Sequence, residues 1–224
     1  MDILIKPIKL LKIALIALFG VTLSLTFQPE IATAQEIDTG VDFYSTYVFR
    51  GVAFSGPSLQ PYVEVSSGGF AIGAWGSQGY DGFQEMDLYT AYEFDFGLSL
   101  GLTDYYYPGT DYLDSDSHAI ELNVALEVSN VSLSGNYIFN EAPGAGSAGS
   151  DLYFEAGMNF GDTDVFIGAG DGWHSTDGEF ALVNIGLGTS KNIVITDTFS
   201  IPLRGAVVFN PDSEQFYIFA GISF

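Results

Sequence analysis

Cysteine is absent from the 224 residues, and only 6 Lys and Arg stand against 28 Asp and Glu, for a formal net charge of -22. Without Cys there are no disulfides, no thiolate nucleophile and no Cys-ligated zinc or iron–sulfur centre. Without a basic face there is no electrostatic footprint for nucleic acid, so no nucleic-acid partner is expected. Charged residues make up only 15% of the chain, few for a soluble protein, whereas aromatics reach 15% and Gly counts 27. That aromatic and β-branched content excludes a disordered chain. After the N-terminus no apolar run approaches the ~18 residues of a membrane helix, so a membrane location would require a closed β-barrel.

Residues 1–34 read as a secretory signal peptide. Lys6, Lys9 and Lys12 precede an apolar run from Ile13 to Leu25, and Ala32-Thr33-Ala34 supplies a small-x-small cleavage pattern before Gln35. The expected mature domain, residues 35–224, keeps Arg50, Lys191 and Arg204 as its only bases. With Asp2 and Glu30 removed it keeps 26 acids, a net charge of -23.

From residue 40 onward the pattern is period-2 alternation, which places alternate side chains on opposite sheet faces. Ile120 to Glu127 sets Ile120, Leu122, Val124 and Leu126 against Glu121, Asn123, Ala125 and Glu127. Twelve such segments are predicted, at 40–50, 58–66, 70–77, 86–94, 98–106, 118–127, 131–139, 151–160, 164–171, 180–188, 199–209 and 216–224. Their connections alternate between tight and long, as in outer-membrane barrels, with 189–198 long where a short turn is due. The fold expected is all-β, a single antiparallel transmembrane barrel of about twelve strands. A soluble β-sandwich would also alternate. It would not carry acids along the face opposite the apolar one without Lys partners. Pro61 and Pro202 are awkward within strands, but both lie near strand ends.

By this phasing the lumen carries Asp42, Glu64, Asp87, Glu93, Glu121, Glu127 and Glu155 against Arg50 and Arg204. Seven acids facing two bases predict cation preference in a channel for passive diffusion of small solutes. Arg50, at the external end of strand one, is expected to pair with Glu64, Asp87 or both, with Glu85 a further member of that network. Inward Tyr44, Tyr62, Tyr89, Tyr153, Tyr217 and Phe219 would narrow the pore or close it, which makes a non-conducting structural or adhesive barrel the alternative. Asp104 alone among the acids falls on the lipid face, near a rim.

Little points to catalysis or to a cofactor. His118 follows Asp114-Ser115-Asp116-Ser117, and His174 stands between Asp171 and Asp177 with Ser175 beside it. Either could serve a rim hydrolase, but no nucleophile-elbow or metalloprotease motif accompanies them. The acidic loops around Asp111 and Asp171 lack calcium-loop spacing, so loose divalent-cation association bridging to lipopolysaccharide is the most they suggest. Ala142 to Ser150, rich in Gly, Ala and Ser, reads as a flexible external loop.

Ser45, Tyr47, Phe49, Arg50 and Gly51, in the order S-x-Y-x-F-R-G, resemble the opening motif of the TorF-type putative porins. Gly69-Phe70-Ala71-Ile72-Gly73-Ala74-Trp75-Gly76-Ser77 resembles that family's G-F-x-x-G-x-W-x-S strand. Glu85-Met86-Asp87-Leu88-Tyr89-Thr90-Ala91-Tyr92 resembles its E-x-D-x-Y-x-G-Y strand, with Ala91 where Gly is usual. The resemblance covers residues 40–105 and implies an outer-membrane barrel with porin activity. The final alternating strand ends in Phe224, the habit of chains that engage the barrel-assembly machinery. Outer-membrane lipid and lipopolysaccharide would then be its surroundings.

Overall fold

The computed structural model describes residues 35–224, so the export-signal expectation for residues 1–34 lies outside the described residues. Fourteen strands form, of which twelve close into an antiparallel barrel. The wall strands are β1 (Glu36–Tyr44), β4 (Ser58–Ser67), β5 (Phe70–Gly79), β6 (Gln84–Glu93), β7 (Leu98–Tyr106), β8 (His118–Val128) and β9 (Val131–Ile138), continued by β10 (Asp151–Asn159), β11 (Thr163–Gly170), β12 (Ala181–Thr196), β13 (Phe199–Asn210) and β14 (Gln215–Ser223). Each pairs with its chain neighbour, and β1 closes the ring on β14 through Asp42↔Ser223, Phe43↔Ile222 and Tyr44↔Gly221. Closure removes the unpaired edges that an open sheet would present.

The alternation in the sequence becomes the two faces of the wall. Leu88, Leu102, Leu122, Leu133, Phe154, Ile167, Leu187 and Phe209 are exposed on the outside, whereas Asp87, Glu121, Asn136, Tyr153 and Asn184 are buried inside. An apolar exterior band around a polar interior is the pattern of an outer-membrane-type barrel, the reverse of a soluble core. Asp104 lies on the outer face, as the phasing requires. His118, two residues along β8 from the Asp104 partner Ile120, holds it with Nδ1 at 2.9 Å.

Three expectations are corrected. Strand one does not run from 40 to 50. β1 ends at Tyr44, and the chain turns into the lumen as a separate two-stranded hairpin, β2 (Tyr47–Phe49) and β3 (Val52–Ser55), which pairs only with itself. Its turn is built on Arg50 (φ 49) and Gly51 (φ 82), two consecutive left-handed residues that match the twist of a tight hairpin. At Gly51 a Cβ would overlap the carbonyl oxygen of Val183, so glycine is required both by conformation and by contact. The long connection expected at 189–198 is instead strand. β12 runs to Thr196 and β13 begins at Phe199, leaving a tight turn that restores the short side of the alternation. Beyond Thr189 β12 has no β11 partner and β13 pairs with β14 only from Leu203, so the two strands continue past their neighbours as a ribbon. Pro202 sits in that ribbon, where no β14 ladder bond is lost.

The third correction concerns residues 142–150, which are ordered. Ala142, Ala145 and Ser147 are buried, and Ala142 joins Tyr105, Ala119 and Ile138 in an apolar cluster that also receives Phe49, Tyr107 and Trp173. Small side chains let this loop fold down tightly over the end of the barrel, which the reading from composition as a flexible external loop misses.

If Leu122 faces lipid near mid-wall, Leu122→Arg should cost about 2–4 kcal/mol. The loss should appear as a lower urea midpoint in lipid vesicles. No loss in this variant would refute the assignment of faces.

Candidate functional site: the lumen and its inner hairpin

The lumen divides at the hairpin. On the long-loop side the space is filled by rings: Tyr47 meets Phe54 at 5.4 Å and Trp75 at 5.5 Å, Phe54 meets Phe83 at 5.5 Å, and Tyr105 meets Trp173 at 5.3 Å. Tyr107 and Phe49 complete the cluster. On the short-turn side lies a cavity of about 740 Å³, lined by Tyr44, Gln60, Glu127, Glu155, Asp164 and Arg204 among others.

The hairpin tip crosses the lumen to the far wall. Arg50 donates to both carboxylate oxygens of Glu121, at 2.6 and 3.0 Å, in a fork-to-fork pair. Neither expected partner, Glu64 nor Asp87, is involved. The tight turn aims Arg50 across the barrel at β8 rather than sideways along its own wall. Glu121 is wholly buried and is satisfied further by Tyr105 Oη at 2.8 Å and Asn123 Nδ2 at 2.7 Å. Asn123 also donates to Asn136 Oδ1 at 3.0 Å and accepts from Thr103 Oγ1 at 2.8 Å. The Arg50 guanidinium lies 4.6 Å from the ring centres of both Phe49 and Tyr153, a sandwich suited to its planar, weakly hydrated cation. Asn210 Nδ2 donates to the Gly51 carbonyl at 3.0 Å. Tyr153 in turn donates to Glu155, and Asn184 donates to Glu155 at 2.8 Å and to Tyr153 at 3.0 Å. The network therefore joins the hairpin to β7, β8, β9, β10, β12 and β13.

The other sequence-derived residues sit as follows. Glu64 accepts from Tyr89 Oη at 2.9 Å, and Tyr62 Oη donates to Asp38 at 3.3 Å. Arg204 lines the short-turn cavity and hydrogen-bonds Tyr44. Asp42 and Glu93 share the inward parity of their strands. Glu85 and Asp87 are buried on the inner face of β6 and do not touch Arg50, which corrects their placement in its network. Glu85 accepts from Tyr107 Oη at 3.1 Å. Burial, reinforced by Glu85, pushes the Tyr107 phenol up. Reasoning from sequence missed the asparagines: Asn123, Asn136 and Asn184 have the same inward parity as the acids, and that parity was the available signal.

The two histidines do not assemble a nucleophile. His118 is committed at both ring nitrogens, Nδ1 to Asp104 and Nε2 to the Tyr112 carbonyl at 2.7 Å, so no lone pair remains to take a proton from a hydroxyl. His174 is buried beside Tyr153 and Trp173, with Nε2 unpartnered. Burial, with Arg50 adding, pushes its imidazole down to about 3. The loop acids are occupied locally: Asp114 accepts from Asp116 N, Asp111 from Leu113 N and Asp177 from Glu179 N. Among the described residues no three His, Asp or Glu side chains converge as a metal centre.

The family described as "Bacterial protein of unknown function (Gcw_chp)" matches residues 29–198. No curated protein matches the chain. Among solved structures, a mutant of Rh. blastica porin aligns at 15% identity and a TM-score of 0.42, covering 75% of this chain and 55% of that one. This chain thus spans little more than half the porin's length. Outer membrane phospholipase A from Escherichia coli aligns at 10% identity and a TM-score of 0.39, covering 89% and 93%, and the calcium-bound Salmonella typhi phospholipase dimer at 12% and 0.40, with the same coverage.

Two outcomes follow from this geometry. Arg50→Met should strip Glu121 of its countercharge and destabilise the protein by about 3–5 kcal/mol. Adding Glu121→Gln should restore part of that loss, both read from urea unfolding followed by the fluorescence of Trp75 and Trp173. His174 is neutral when folded, with its pKa below the unfolded value near 6.5, so its contribution is intact above pH 6.5 and is lost as pH falls toward 3. In His174→Phe the decline in stability between pH 6.5 and 4 should be shallower than in the wild type; parallel curves would refute this.

Proposed function

The chain belongs to the Gcw_chp family of bacterial proteins of unknown function, and we propose that it is a narrow outer-membrane channel, a porin of the TorF type, that passes small cations by diffusion. The observation that carries this reading is the cavity of about 740 Å³ on the short-turn side, which leads up to the hairpin and is lined by Glu127, Glu155 and Asp164 with Arg204 as its single base. Low-dielectric walls with one dominant sign of charge concentrate counterions in the vestibule. The hairpin then sets the bore. A ring of twelve strands is already narrower than the 16–18 that leave an open aqueous channel, and the β2–β3 insert takes up much of what remains.

The exported mature domain reaches the outer membrane through the N-terminal signal and engages the assembly machinery through the strand ending in Phe224. Its surroundings there are outer-membrane lipid and lipopolysaccharide. A non-conducting structural barrel is the second reading, favoured by the ring cluster that fills the long-loop half.

Protein purified in detergent and reconstituted into a planar bilayer under a KCl gradient should show small steps with a reversal potential on the cation side. The preference should fade at 1 M salt, where the screening length is about 3 Å. Glu127→Gln with Glu155→Gln should lower the preference, and Arg50→Met should enlarge the conductance by loosening the hairpin. Folded, heat-modifiable protein without current in either form would establish the structural barrel instead.

A further inference from the structure

Glu85, Asp87 and Ser77 form a second group of buried polar residues, separate from the Arg50 network. They occupy the inner face where β5 meets β6: Ser77 stands directly opposite Glu85 in the ladder, and Asp87 follows Glu85 by two residues on the same face. Exposure is 5% for Ser77, 4% for Glu85 and 7% for Asp87. Each has one oxygen with no hydrogen-bond partner, namely Ser77 Oγ, Glu85 Oε2 and Asp87 Oδ1. Two carboxylates withdrawn from water without a countercharge are too costly to stand alone. The bases do not relieve them. Arg50 is bound to Glu121, Arg204 lies in the short-turn cavity and Lys191 is on the far ribbon. The charges that act on Asp87 are themselves negative, Glu85 and Glu121 among them.

We propose that Ser77, Glu85 and Asp87 bind one hard cation, a divalent ion such as Ca²⁺, between β5 and β6. The donors are all oxygen, which selects hard ions over soft ones, and the charge of the two carboxylates matches a divalent ion. Two acids fall short of the sets that make tight calcium sites, so water completes the shell and the affinity is modest. The hydroxyl opposite Glu85 is the part that composition alone would not supply. The site stands whether or not the barrel conducts, because occupancy is read without a current.

The test is a Tb³⁺ titration of the detergent-purified protein, exciting the aromatic rings and following sensitised emission, with Ca²⁺ as competitor. Trp75 lies opposite Asp87 in the ladder and serves as donor. The wild type should show a saturable component displaced by Ca²⁺, and E85Q/D87N should weaken it by at least about tenfold, or 1.4 kcal/mol. Asp95→Asn, on the exposed turn between β6 and β7, should leave it unchanged. If E85Q/D87N titrates like the wild type, emission comes from loop acids and the proposal is overturned. If that variant fails to fold, Ser77→Ala decides the matter: it keeps both charges and should weaken the component several-fold, and no change overturns the site. A pair that shares a proton instead would give no Ca²⁺-displaceable component at all.

Discussion

The interior of this barrel depends on one buried contact, the fork-to-fork pair of Arg50 and Glu121. Glu121 has no exposed surface, and a carboxylate in that position without its guanidinium would carry an uncompensated charge into a low-dielectric wall. Once Arg50 must reach β8, the hairpin must cross the lumen, its turn must take two left-handed residues, and the second must be glycine against Val183. Tyr105, Asn123, Asn136 and Thr103 then saturate the remaining donors and acceptors, so that the polar interior is held by a connected network rather than by isolated bonds.

The same contact partitions the molecule. The long-loop side of the hairpin is packed mainly ring against ring, with small-residue segments such as 142–147 folded down over it. The short-turn side is a cavity whose charged lining is three acids and one base. A barrel of twelve strands has too little circumference for a wide pore and too much for side chains alone to fill. An inserted hairpin resolves that mismatch at one level and leaves the other end open. The vestibule beneath the hairpin sets Glu127, Glu155 and Asp164 against Arg204 alone, an excess of acid that a plain stopper does not require.

The wall was legible in the sequence because its determinant is local. Period two decides which face a residue occupies, so Glu121 could be placed inward and Leu122 outward from their neighbours alone, and even the outward Asp104 emerged from parity. What was not legible depends on contacts between residues far apart in the chain. Tyr47-Val48-Phe49 alternates like any wall strand, and nothing nearby states that its partner is Val52-Ala53 rather than β14. Arg50 and Glu121 are 71 residues apart, so their pairing depended on a turn whose direction the pattern does not encode. Residues 189–198 were misread for a different reason. Ser190-Lys191-Asn192 looks like loop chemistry, yet in a ribbon that extends beyond its neighbours both faces meet solvent, and polar residues no longer mark a break in the strand.

The buried acids follow the same logic. Parity puts Glu85, Asp87 and Glu121 on one face and treats them as equivalent, but their environments separate them. Glu121 receives a guanidinium, a phenol and an amide. Glu85 receives phenols from Tyr47 and Tyr107, and Asp87 keeps an oxygen without any partner. A hairpin carrying one base can neutralise only one of three acids at its level. The remaining two acids meet no base at the β5–β6 wall, so a proton or a cation from outside the polypeptide has to balance them there.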